Sequence, residues 1–240
     1  MKVLLIFGAV VAIALSGPTA RAQTSEIVVT GSRIDRYAEE DVPVVHLTVR
    51  PDFLTDGLRI TNDSRDPGRR RQELLRTARA VVARAARHDG IALSSILLIE
   101  NDYDELVFAA PLPSDLSTLI EHDGRADTSD IKLLVKTALA ETDTFATATE
   151  RLAAFADEAE GVGRTLVTVE EEPSLSIVDL DAYRRPLIDA IAADAREIGS
   201  LLGDAGTVEI GGLQSAPRLR QSGPLDLTLY LPYSVSITLD

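Results

Sequence analysis

Hydrophobic and polar positions along the chain alternate between two periods. Ile27 and Val29 alternate with polar or turn-forming neighbours up to Gly31, the pattern of a short strand ending in a turn. Residues 42–49 alternate again, with Val45, Leu47 and Val49 on one face, and Pro51 closes the run. The period then lengthens. Leu74, Leu75, Ala78, Val81, Val82, Ala85 and Ala86 recur at helical spacing over 67–88. Asp66 is placed to cap that helix, Pro67 to open it and Gly90 to end it. Strands are expected at 91–99 and 106–110, a short helix at 114–122 and a strand at 131–139. A second helix spans 143–160, with Phe145, Ala148, Leu152, Phe155, Ala156 and Ala159 inward and Gly161 and Gly163 as its stop. Strands follow at 165–169 and 175–178. A third helix runs from about Asp181 to the residue before Gly203 with Leu187, Ile188, Ile191, Ala195, Ile198, Leu201 and Leu202 as its stripe. Pro186 kinks that helix or marks its first turn. After a strand at 207–213, every odd position from Leu225 to Leu239 is apolar or aromatic, which predicts one long strand bent or placed at an edge by Pro232.

Strand, polar loop, helix, glycine, strand occurs twice, at 42–99 and 131–178, so the domain can be divided into two βαβ-like halves, 23–110 and 131–240. The expected class is α+β: antiparallel sheet with about three helices packed on one face.

The N-terminus changes what is counted. Lys2, the apolar run from Val3 to Leu15, the Gly17-Pro18 break and Ala20-Arg21-Ala22 together have the form of a secretory signal. The apolar run is shorter than the roughly 20 residues a membrane-spanning helix needs. The expectation is export, cleavage near Ala22, a periplasmic protein of one domain over 23–240, and no transmembrane segment in the mature chain. The formal net charge of the whole chain is -14, and removing Lys2 and Arg21 makes it two charges more acidic. Such a surface repels nucleic acid and anionic lipid. With no cysteine, disulfides, thiolate catalysis and cysteine-held metals are excluded.

The order of these landmarks resembles the SIMPL-domain family of secreted and periplasmic immunogenic proteins. An I-x-V-x-G strand behind the signal is matched by Ile27, Val29 and Gly31. A Pro-containing V-x-V strand is matched by Val42 to Val49, and a helix ending in Gly-Ile by Gly90-Ile91. An Ala-rich helix ending in L-G followed by a V-x-I strand is matched by Ala190 to Gly203 and Val208-Glu209-Ile210. The terminal alternating strand is Leu225 to Leu239. The resemblance covers nearly the whole mature chain. It implies an α+β fold in the periplasm and, as in some members, assembly into large homo-oligomeric rings; it implies no reaction. A second, shorter likeness is EIVVTGSRI, Glu26 to Ile34, which looks like the segment that opens many TonB-dependent receptors. A receptor needs an outer-membrane barrel of some twenty-two strands, which this length cannot supply, so the stretch is read as the opening edge strand of the sheet, or as a strand donated to a partner of the TonB system.

Candidate chemistry is sparse. His46, His88 and His122 form no metal-binding spacing. Glu100, Asp102, Asp104 and Glu105 offer oxygen ligands that suit Ca²⁺, but they lack the glycine and distal glutamate of an EF-hand loop, and a solvated turn explains them. Glu170-Glu171-Glu172 is a charged strand end. No serine sits in G-x-S-x-G and no phosphate-binding glycine motif occurs. No catalytic residue, cofactor or metal is therefore assigned. The sharpest charge anomaly is the first helix, where Arg69, Arg70, Arg76, Arg79, Arg84 and Arg87 lie mostly off the apolar stripe. They form a candidate interaction surface for an acidic partner or a second copy, against the plainer reading of a solvated face whose stems cover apolar surface. The functional expectation is a non-enzymatic periplasmic protein that self-associates or binds an envelope partner. The alternatives are a periplasmic hydrolase using acidic residues at 100–105 or His46, and a TonB-associated binding protein.

Overall fold

A computed structural model describes residues 26–29, 42–100, 105–122, 127–170, 172–203 and 206–239. The fold is α+β, with three α-helices and antiparallel sheets. Its centre is a pair of ten-residue strands, β3 (Phe53–Asn62) and β7 (Ser129–Ala138), hydrogen-bonded along their whole length. The label β3 allows for two earlier short strands, β1 (Glu26–Val29) and β2 (Leu47–Val49). From β3 the chain passes through helix α1 (Pro67–Ala85) to β4 (Ile91–Glu100), which pairs with the far edge of β7. From β7 it passes through helix α2 (Phe145–Asp157) to β8 (Thr165–Val169), which pairs with the far edge of β3. Each β-α-β unit thus straddles a strand of the other, giving the order β8-β3-β7-β4 of a ferredoxin-like split βαβ pair. The repeated pattern at 42–99 and 131–178 is the trace of these two units.

Register assigns the faces. Leu54, Leu58 and Ile60 lie opposite Thr137, Leu133 and Ile131, and this face is covered by α1 and α2. Leu74, Ala78 and Val81 of α1 and Ala148, Leu152 and Phe155 of α2 fill the layer between them, all but excluded from water. Asp66 caps α1 by accepting from the Arg69 N–H at 2.6 Å, with Pro67 in the first turn. Thr144 and Thr147 cap α2 reciprocally. The first helix stops at Ala85; Gly90, at φ +81°, serves the turn into β4 instead of the helix end.

The opposite face of the central strands is covered by strands. β5 (Glu105–Ala110) pairs with β4, β1 with β5, β9 (Ser174–Val178) with β1, and β9 with the first half of β3. Following β3, β7, β4, β5, β1 and β9 returns to β3, so six antiparallel strands close a ring. β1 is therefore bonded along both sides and is no edge strand. The two-residue β6 (Ile120–Glu121) adds to the free end of β7.

The remaining chain forms a smaller unit joined to the same hydrophobic core. Helix α3 (Arg184–Leu202) packs mainly on β10 (Gly206–Gly211), while α1 and α2 pack on the large sheet. Pro186 sits in the first turn of α3, where its missing N–H costs no hydrogen bond. The long alternating run does not form one strand. β12 (Asp226–Tyr230) joins β11 (Arg218–Gly223) and β2 in a three-stranded sheet, and β13 (Ser234–Leu239) pairs with β10 in a separate ribbon. The break falls at 231–233, where Pro232 has no N–H to give. Gly212, at φ +85°, packs against it so closely that a Cβ would lie 2.4 Å from the Pro232 carbonyl oxygen.

The strand β3 falls in a stretch to which the sequence reading assigns no element, and two further expectations are corrected. The segment 114–122 contains only a 3-10 turn, Leu116–Leu119, before β6. Only Leu47–Val49 of the 42–49 run is strand.

Candidate functional site

The arginines of α1 divide by what they touch. Arg70 is 5% exposed. Its Nε donates to Ser129 Oγ at 3.1 Å and its guanidinium also donates to the Ser64 carbonyl at 2.7 Å, so it ties α1 to β7 and to the turn that follows β3. It is not part of a docking surface. Arg69 donates to Glu73 at 2.6 Å. Arg84 pairs with Glu158 of the α2 cap, its guanidinium 5.3 Å from the centre of the Phe155 ring. Arg71, Arg76, Arg79 and Arg87 remain exposed. Arg71 and Arg79 reach toward Asp115, whose carboxyl is held below its usual range first by the Ser117 N–H and hydroxyl and then by these two charges. The exposed members of the candidate set are thus Arg69, which is bonded to Glu73, and Arg76, Arg79 and Arg87, with Arg71 beside them.

Glu73, missed from sequence, is where three elements meet. Its carboxylate accepts from Arg69, from Asn62 Nδ2 at 3.0 Å, from Ser64 Oγ at 2.9 Å and from the Arg164 N–H at 3.2 Å. These donors, Arg69 foremost, hold its pKa down to about 2. Gly163, at φ +63°, leaves room for it; a Cβ there would stand 2.3 Å from the carboxylate.

A second polar group fills the strand ring. Glu26 on β1 pairs with Lys136 on β7, three strands away by either route, so the ion pair crosses the ring. Ser176 Oγ donates to the same carboxylate at 2.6 Å, and the Lys136 ammonium lies 4.7 Å from the centre of the Phe53 ring. Lys136 and Ser176 are buried. The buried Glu26–Lys136 pair, with Ser176 beside it, is suited to holding strands together.

The other expected residues do not converge. His46, His88 and His122 are all exposed; His88 stands edge-on to Phe155 at 5.8 Å. Among the described residues no group of three or more His, Asp or Glu could hold a metal ion. Glu100 and Glu105 are register partners at the end of the β4–β5 pairing, while Asp102 and Asp104 lie outside the described residues. Of EIVVTGSRI, Glu26–Val29 is β1, and residues 30–34 lie outside the described residues. No described helix is long and apolar enough to cross a membrane.

An open surface depression was not anticipated either. It is an open cleft of about 730 Å³ at the three-stranded sheet, lined by Arg218, Arg220, Tyr230, Tyr233, Pro43 and Pro232. The residues around 214–224 read as turn-rich; the R-x-R spacing of Arg218 and Arg220, which puts both on one face of a strand, was the available signal. Compared with known proteins, the chain matches no protein-family model and no curated protein.

Proposed function

We propose that this chain is an exported, non-enzymatic protein of the SIMPL type that works in the periplasm by associating with copies of itself or by holding an envelope protein. One observation supports it above the others: Arg76, Arg79 and Arg87 form an exposed basic face on a molecule of net charge -14. A concentrated positive face on an acidic body attracts the acidic surface of another copy and orients it. Arginine favours such contacts because its planar fork binds a carboxylate through two parallel hydrogen bonds. The attraction is screened once the Debye length falls below the separation of the charges.

Light scattering of the purified protein across salt concentrations tests this. The expected result is a particle of several copies at low salt that shrinks as salt rises, and shrinks at low salt when Arg76→Glu and Arg79→Glu are combined. A single-copy mass at high protein concentration and low salt, with no envelope protein retained on the immobilised chain, overturns it.

A further inference from the structure

The helical layer carries two outward stripes of opposite charge. Arg76, Ala80, Ala83 and Arg87 recur at i, i+4, i+7 and i+11, opposite the buried Leu74, Ala78, Val81 and Ala85, and all four are exposed. On α2, Glu150, Ala154 and Asp157 recur at i, i+4 and i+7, opposite the buried Ala148, Leu152 and Phe155, and are exposed too. Glu160 stands exposed just past that helix. Within the described residues, the side chains of Arg76, Arg87, Glu150, Asp157 and Glu160 make no hydrogen bond or ion pair. Both helices pack on the large sheet, and the Arg84–Glu158 pair links them. A shallow depression of about 360 Å³ lies at their seam, with Ala80, Arg87 and Glu160 among its lining.

A surface with one basic and one acidic stripe side by side is complementary to itself. We propose that two copies dock helical layer to helical layer about a two-fold axis along the seam, α1 of each lying over α2 of the other. Every contact then occurs twice, as in any isologous interface, and the unit closes at two copies. The Arg84–Glu158 pair sets Arg87 and Asp157 within about one helical turn of the same level. Arg87 of one copy therefore arrives over Asp157 and Glu160 of the other, at the seam depression, where Ala80 leaves room for it. Arg76 adds a second positive charge along the same stripe. Ala80, Ala83 and Ala154 keep the middle of each stripe low, so the helices can approach closely. Helices of 19 and 13 residues offer a footprint on the order of 500 Å² per copy, at the small end for a stable pair. Charge matching rather than buried area carries such a contact, and salt dissolves it. The inference rests on the self-association arm of the reading above and names the surface that the α1 arginines meet.

Charge reversal tests it, read as mass by light scattering at low salt. Arg76→Glu with Arg87→Glu makes both stripes acidic; Asp157→Arg with Glu160→Arg makes both basic. Each variant alone should repel itself and lose mass by about twofold. An equimolar mixture of the two should recover the parent's mass, because each stripe again meets its opposite. So should one chain carrying all four substitutions, whose stripes have simply exchanged signs. All four side chains are exposed and unbonded, and melting curves matching the parent's check that the variants fold. The proposal is overturned if the α2 variant keeps the parent's mass, or if neither the mixture nor the four-substitution chain regains it. If the α1 variant alone loses mass while the α2 variant does not, self-association through the arginines stands and their partner surface lies elsewhere. A parent of single-copy mass overturns this pairing and the self-association arm together.

Discussion

Glu73 and Asp56 are both buried carboxylates on or beside the central strand, and their surroundings drive them in opposite directions. Glu73 is surrounded by donors, so its folded pKa of about 2 lies below its ordinary 4.5. The stability it contributes is present above 4.5 and is lost as pH falls toward 2. Glu73→Gln should melt below the parent at neutral pH, and the gap should narrow through that window as the parent loses its advantage; parallel melting curves at every pH would refute this. Asp56 sits where β3 passes its edge from β9 to β8. It accepts from the Gly57 N–H at 2.7 Å and the Glu172 N–H at 3.2 Å, which serve backbone that no strand partner reaches. Burial nonetheless raises its carboxyl above 3.8, with the charges of Glu170 and Glu172 adding to the effect. A raised acid contributes stability that is full below 3.8 and lost as pH rises through its folded value. Asp56→Asn keeps an acceptor oxygen and removes the charge. It should melt above the parent at pH 7, with the advantage gone below pH 3.8. Gly163→Ala, by contrast, meets both a positive φ and the Glu73 carboxylate, and should cost more than about 1 kcal/mol in denaturant unfolding.

At the scale of elements, β1 is the piece on which ring closure depends. It is four residues long, yet it bonds β5 on one side and β9 on the other and brings Glu26 to Lys136. Neither partner is much exposed, so removing one strands the other. Lys136→Met should destabilise by about 3–5 kcal/mol in chemical denaturation, and adding Glu26→Leu should restore much of that loss, because the penalty is an unpaired buried charge and not a missing attraction. If the double variant is no better than the single one, the pair does not work this way. Deleting 26–29 should abolish cooperative unfolding, since it leaves β5 and β9 with bare edges and Lys136 without its anion. A deleted chain that still unfolds in one sharp transition would show β1 to be an accessory strand, free to be donated to a partner.

At the scale of the molecule, two β-α-β units share one sheet by pairing across each other, and the three strands β5, β1 and β9 roof the face that the helices leave open. That arrangement consumes most backbone edges internally. What remains outward is chemical: the α1 arginines, the cleft at β11, and apolar side chains such as Leu201 at 82% exposure and Ile237 at 47%. High salt should weaken self-association through the exposed α1 arginines, and Arg76→Glu with Arg79→Glu should weaken it at low salt. A mass unaffected by Arg76→Glu with Arg79→Glu would remove α1 from the interface.

The three helices, their caps at Asp66 and Gly203, and most strands near them were legible in the chain, because a 3.6-residue stripe and a capping carboxylate are local facts. Glu73, Glu26 with Lys136, and the Arg218 cleft were not, because each joins residues far apart in sequence that pairing alone brings together. β3 was assigned no element from sequence; its ten residues are held by pairing with β7, β8 and β9, partners far along the chain. The run from Leu225 to Leu239 erred the other way. Alternation reports that one face can be buried, but not against what, and it was Pro232 beside Gly212 that let consecutive halves of one pattern join different sheets. Local periodicity sets what each segment can become; long-range pairing sets its neighbours, and the charges that end up facing each other follow from those neighbours.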